Sequence, residues 1–196
     1  IPNDPNDTPL PAAAGTWTIS TPVTELSGLR HLEGMEVAIL ADGSVQPNQT
    51  VVDGTITLGT SASAITVGLP FTCQLQTPYL DVPGGPTLAG RRKLLSAATV
   101  RVAESRGIAV GCNQPDASVQ PNNAAPPWTN MVEIPQRGNG VNAGTPIPLY
   151  TGDSQRISLR GTWNKGGQVA VQQTFPLAAN ILAVIPEATI GDDPGP

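Results

Sequence analysis

Residues 37–58 read VAILADGSVQPNQTVVDGTITL, with the dipeptide Asp-Gly at Asp42-Gly43 and again at Asp53-Gly54. Short runs of alternating apolar and polar residues flank each pair. A type I′ hairpin turn needs positive φ at both central positions, which Asp tolerates and Gly adopts freely. The stretch therefore predicts strands folded back at two tight corners. Val37, Ile39 and Ala41 fall on one face of the first strand, Ala38 and Leu40 on the other. Val45 follows the first corner, QPNQ (46–49) reads as a polar loop, and Val51 and Val52 lead to the second corner. Ile56 and Leu58 then alternate with Thr55 and Thr57, and AITVGLPF (64–71) puts Ile65, Val67 and Leu69 on one face. So many strands in so short a span predict a small closed barrel, because closure removes edges that a tiny sheet cannot otherwise protect.

Upstream, residues 1–15 carry four prolines and read as an extended arm or linker. Residues 16–31 hold an entry strand, TWTISTPVTEL, broken at Pro22. The barrel module spans 32–80. The turn-rich DVPGGPTLAG (81–90) separates it from a β-sandwich-like domain over 81–191. There Ala98, Val100 and Val102 alternate with Thr99, Arg101 and Ala103, and Arg106-Gly107 turns the chain into Ile108 and Val110. Residues 112–128 form a long Pro- and Asn-rich loop, and MVEIP (131–135) is a short strand. Ile157 and Leu159 point inward, with Arg156, Ser158 and Arg160 outward; NKGG (164–167) turns into QVAVQQ, with Val169 and Val171 inward. NILAVIPEATIG (180–191) is apolar on both faces and reads as a central strand buried on both sides. Residues 192–196 are a tail. No window shows a helical stripe, so the fold class is all-β with long Pro/Gly-rich loops.

The totals fit that pattern. Of 196 residues, 21 are Gly and 21 Pro, while 39% are apolar and only 13% charged, which favours strands and turns over disorder. A net charge of −5 argues against a general affinity for nucleic acid, which needs a basic footprint. It suits a wall past which a phosphate chain slides. No run approaches the eighteen or so apolar residues of a membrane span. Cys73 and Cys112 make no disulfide framework and are expected as reduced, part-buried thiols.

The chemical inventory is thin. His31 is the single histidine, so any Ser-His or Cys-His pair would need it, and its place before a strand suits a part-exposed structural role. Cys73, Cys112 and His31 are too scattered for zinc. Glu33, Glu36, Glu104, Glu133 and Glu187 are the carboxylates from which a glycoside-cleaving pair would be drawn, but none lies in a motif. Asp4, Asn6, Asp7, Asp192 and Asp193 supply fragments of a calcium loop without its full pattern. No phosphate loop is present, because GTSASA lacks the lysine and DVPGGP precedes no helix. The expectation is no catalytic residue, metal or cofactor. Arg91, Arg92 and Lys93 form the one charge cluster. It reads as a solvated strand entrance, as an ion-pairing contact with an acidic neighbouring chain, or as a phosphate contact. Arg101 is the candidate that extends an inter-subunit contact, with Arg156 and Arg160 beside it. Trp17, Trp128 and Trp163 serve as core or interface filler, or as sugar-stacking platforms.

Three stretches together resemble one family. LRHLEGMEVAILADGSVQPNQTVVDGTITL with SAITVGLPFTCQLQT is similar to a small β-barrel module of phage tail proteins, a module likened in fold to the first catalytic cysteine half-domain of ubiquitin-activating enzymes. That likeness lends Cys73 no catalytic role. LAGRRKLLSAATVRVAESRGIAVG resembles the segment that follows the module, and PLYTGDSQRISLRGTWNKGGQVAVQQTFPLAANILAVIPEATIGD the C-terminal end. The family is the tail nozzle, or tail tubular B-type, protein of short-tailed phages, and the likeness runs from about residue 28 to 192. It implies a structural virion protein assembled in the host cytoplasm into a ring, typically sixfold. Adaptor and fibre proteins would be its neighbours, and DNA a transient cargo in the channel. The family's longer members carry a propeller-like region that this chain lacks, so a C-terminal piece or a reduced tail protein is expected. The rival reading is a carbohydrate- or receptor-binding β module of a tail fibre or adaptor. A hydrolase using acidic residues ranks last.

Overall fold

The computed structural model describes residues 21–81, 87–115, 128–135 and 147–191. The arm (1–15), Trp17, half of the 81–90 break, most of the 112–128 loop, the acidic residues at 4, 7, 192 and 193, and the tail lie outside the described residues. The chain is all-β. Its first strands are β1 (Val23–Leu26), β2 (Glu36–Ala41), β3 (Ser44–Thr50), β4 (Ile56–Ala62) and β5 (Ile65–Gly68). A single 3-10 turn, Arg30–Leu32, lies between β1 and β2. Then follow β6 (Cys73–Gln76), β7 (Lys93–Ser105), β8 (Ile108–Cys112), β9 (Val132–Glu133), β10 (Tyr150–Asp153), β11 (Ile157–Ser158), β12 (Val169–Gln173) and β13 (Asn180–Ile190).

The module is two small antiparallel sheets around one core, β3-β2-β5 and β1-β4. Both Asp-Gly corners form with positive φ: Asp42 +46° and Gly43 +75°, Asp53 +53° and Gly54 +68°. Val37, Ile39, Ala41, Val51, Ile56 and Leu58 are buried together, so the alternation places the core correctly. The QPNQ stretch differs from its expected loop. Gln46–Gln49 continue β3, paired with β2, and the register slips between Val37 opposite Gln49 and Ile39 opposite Gln46. Pro47 and Asn48 stand opposite the single residue Ala38, one residue more than β2, and form a bulge. A proline without an N–H is tolerated at such a point because no ladder bond is asked of it. The seam between β3 and β4 is closed by a side chain. The Gln49 amide donates to Thr57 O at 2.6 Å and accepts from Thr57 N at 3.2 Å, standing in for a peptide group.

The second body is a sandwich. One sheet centres on β7, which pairs with β13 along one side and with β10 and β11 along the other; the second runs β6-β12-β8-β9. Their facing sides bury Leu95, Val100, Val102, Ile108, Val110, Val169 and Val171, with Ile157 and Leu159 closing one end. Strand β6 falls within 32–80 by sequence, yet all its ladder bonds go to β12 in the sandwich. The expectation for β13 is corrected. Among the described residues β13 pairs only with β7, so it is an edge and not a central strand; Leu182 is 63% exposed and Ile185 46%. Two-sided apolar character signalled uncovered surface here. Cys73 is exposed and Cys112 half-buried, and no disulfide joins them.

Candidate functional site

Three regions carry the groups singled out by sequence. The first is the outer face of the β7 sheet. Arg101 forks onto Asp153, with Nε to Oδ1 at 2.6 Å and NH2 to Oδ2 at 3.0 Å. Arg156 pairs with Glu187 at 2.8 Å. In each pair the hydrogen bond is the main cause of an arginine pKa raised and a carboxylate pKa held below its ordinary value. These exposed pairs neutralise one another, and pairs of this kind contribute little stability. Within the chain, Arg101 is thus already matched.

The second region is the join of module and sandwich, which sequence reasoning missed. Arg106, in the tight turn from β7 to β8, is only 8% exposed. Its guanidinium donates to Gly43 O at 2.7 Å and also to Ile147 O. Gly43 is the tip of the first Asp-Gly corner, so that corner is the point at which the module meets the sandwich. Asp42 works inward instead, accepting from Ser63 N at 3.1 Å and Ala64 N at 2.7 Å to hold the β4–β5 turn. A cleft of about 910 Å³ opens beside Arg106, walled by Ser44 and Thr60 of the module and by Glu133, Ile147 and Phe175 of the sandwich. Arg106 was visible as half of an Arg-Gly turn, but nothing local distinguished a docking cation from a solvated one.

The third region is the basic cluster, which the fold splits. Arg92 is exposed and Arg91 half-buried. Lys93 is 1% exposed, so it is not a surface contact as expected. It begins β7, bridged to Asn164 by N to O at 2.7 Å and by O to N at 2.9 Å. The stem packs beneath Gly167, at φ +61°, where any added Cβ would sit 2.8 Å from Lys93 Cδ. The ammonium donates to Lys165 O at 2.9 Å.

The remaining candidates do not assemble. His31 is exposed in the 3-10 turn. Glu33 is structural: it accepts from Asp53 N at 2.9 Å and Gly54 N at 2.6 Å, clasping the second Asp-Gly corner. Glu36 accepts from Asn48 at 3.2 Å. Glu104 has φ +45° and is bonded through its backbone N to Thr151. Among the described residues no group of three His, Cys, Asp or Glu converges for a metal ion. Trp128 is half-buried, and Trp163 is 48% exposed against Gly191. No described helix is long and apolar enough to cross a membrane.

The edge strands β6 and β13 of the sandwich both carry exposed apolar side chains. Leu75 of β6 is 50% exposed, and Leu182 and Ile185 of β13 are open to solvent. A gap of about 130 Å³ opens between Leu75, Ile108, Val171 and Ile181. Compared with models of known families and with curated proteins, the chain matches none.

Proposed function

We propose that this chain is a structural component of a bacteriophage tail, a ring-forming nozzle or tube element that works through its interfaces. The observation that carries the reading lies on two strand edges of the sandwich. The edge strands β6 and β13 leave Leu75, Leu182, Ile185 and Ile190 exposed, and a gap of about 130 Å³ opens between Leu75 and Ile181. Exposed apolar side chains on edge strands that are unpaired among the described residues are costly in a monomer and are what a head-to-tail contact buries. The three-part resemblance of residues 28–192 supports a tail ring in particular, and the net charge of −5 suits a conduit that must not grip DNA.

Electron microscopy and mass measurement of the purified chain at high concentration test this. Closed rings of one symmetry are expected, with Leu75→Lys plus Leu182→Lys yielding a folded monomer. A strict monomer at every concentration, in a protein absent from virions, would overturn it.

A further inference from the structure

Arg92 is the exposed member of the basic cluster, and the last rung of a ladder fixes where it stands. Strand β13 runs antiparallel to β7 with Ile190 opposite Lys93, and Gly191 N then donates to Arg92 O at 2.9 Å. Lys93 turns into the core, so alternation turns Arg92 to the outer face. Gly191 stands opposite Arg92 and offers it no side chain. A Cβ added at Gly191 would lie 3.7 Å from Arg92 Cβ and 3.2 Å from Trp163 Cζ3, so the arginine stem and the half-exposed indole share that face. Neither described ion pair uses Arg92: Asp153 is taken by Arg101 and Glu187 by Arg156.

The next two residues of the chain are Asp192 and Asp193. One further step of the β13–β7 register sets Asp192 opposite Arg91, and the step after it returns Asp193 to the face of Arg92. A diagonal neighbour in an antiparallel pair lies about 7–8 Å away, a gap that a long side chain closes, and opposite charges so placed attract. The Trp163 ring beside Gly191 adds an apolar wall, which lowers the local dielectric and strengthens a charge pair formed against it.

We propose that Asp193, with Asp192 beside it, pairs with Arg92 of its own chain and covers the basic cluster, so that Arg92 is withheld from an outside anion until the tail is displaced. The register supplies the placement and the charges supply the attraction. The cover is independent of ring formation, since every group in it belongs to one chain.

The test is a carbon-13 titration of the side-chain carboxyls in the whole chain. The Asp193 midpoint is expected to fall about 0.2–0.7 below the ordinary aspartate value of about 3.9, the size of an exposed ion pair. Arg92→Gln should return it to the ordinary value, and salt raised from about 0.05 to about 1 M should do much the same by screening. An ordinary midpoint in the parent, or a lowered one that Arg92→Gln leaves in place, would overturn the pairing. A lowering that appears only as protein concentration rises would overturn the assignment to one chain and give the tail to a second copy. Heparin chromatography then reads the cover itself. Asp192→Asn with Asp193→Asn is expected to elute at higher salt than the parent. Adding Arg92→Gln should lower the elution salt more in that uncovered variant than in the parent, where the cation is already matched. Equal effects of Arg92→Gln in the two backgrounds would overturn the cover.

Discussion

The two Asp-Gly corners have the same dipeptide and nearly the same backbone, yet they bear different burdens. The second is clasped inside the module: Glu33 takes both of its amides, Leu29 N donates to Gly54 O at 2.9 Å, and Arg30 packs on Gly54 itself. The first is clasped across the join, where Gly43 O receives the Arg106 guanidinium from the sandwich. One corner holds a body together and the other holds two bodies to each other. Damage to the second should therefore read out as unfolding, and damage to the first as loosened orientation.

Gly54→Val is the hardest way to break this distinction. The position needs φ +68°, and a Cβ would stand 2.6 Å from Arg30 Cγ and 3.2 Å from Arg30 N. Left-handed strain and overpacking each cost about 1–3 kcal/mol, so a loss of about 2–6 kcal/mol is expected by chemical denaturation. Gly43→Val, at φ +75°, is expected to cost the left-handed strain, about 1–3 kcal/mol. Equal losses for the two would erase the distinction. Arg106→Met leaves the Gly43 and Ile147 carbonyls without their donor. Both bonds are part-buried, so the expected cost is near the low end of the ~1–3 kcal/mol of an unmet acceptor, and the expected signature is a larger radius of gyration by X-ray scattering with an unchanged far-ultraviolet spectrum. A compact Arg106→Met variant would show that the first corner is not the clasp between the bodies.

Glu33→Gln sharpens the same contrast from the other side. It retains one acceptor for the Asp53 and Gly54 amides and loses the charge that strengthens both bonds, for an expected cost of about 1 kcal/mol. The smallest effect belongs to the outer ion pairs. Asp153 and Glu187 have folded pKa values below their ordinary ones. Their contribution is full above the unfolded carboxylate pKa of about 4 and is lost as pH falls through the lower folded values. Melting curves of the parent and of Asp153→Asn with Glu187→Gln should keep a small constant gap above about pH 5, closing in acid.

Much of this architecture was legible because its cause is local. Period-two alternation at Ala98, Val100 and Val102 needs only a sheet with one buried side, and all three are fully buried. The Asp-Gly corners follow from φ alone. What was not legible depends on contacts distant in the chain. Pro47 read as a loop because its bulge is set by the register against β2. NILAVIPEATIG read as central because sequence shows apolar residues and not what covers them. Lys93 read as a surface charge because the turn that buries it, Lys165–Gly167, lies 72 residues on. Arg106 was found as a turn residue, but the carbonyl that claims it belongs to the other body.

The Gln49 amide that joins β3 to β4 has a mechanical consequence. A ladder parts only when several strand residues lose their partners together, whereas this seam rests on a side chain that can swing away by rotating its own torsions. The module can breathe along that line while β2–β3 and β1–β4 remain intact. The expected opening is a hinge like that of a book, its spine at the Asp53-Gly54 corner, where backbone bonds join Val52 and Thr55. The amide of Thr57, although inside a strand, should exchange its hydrogen earlier than its neighbours.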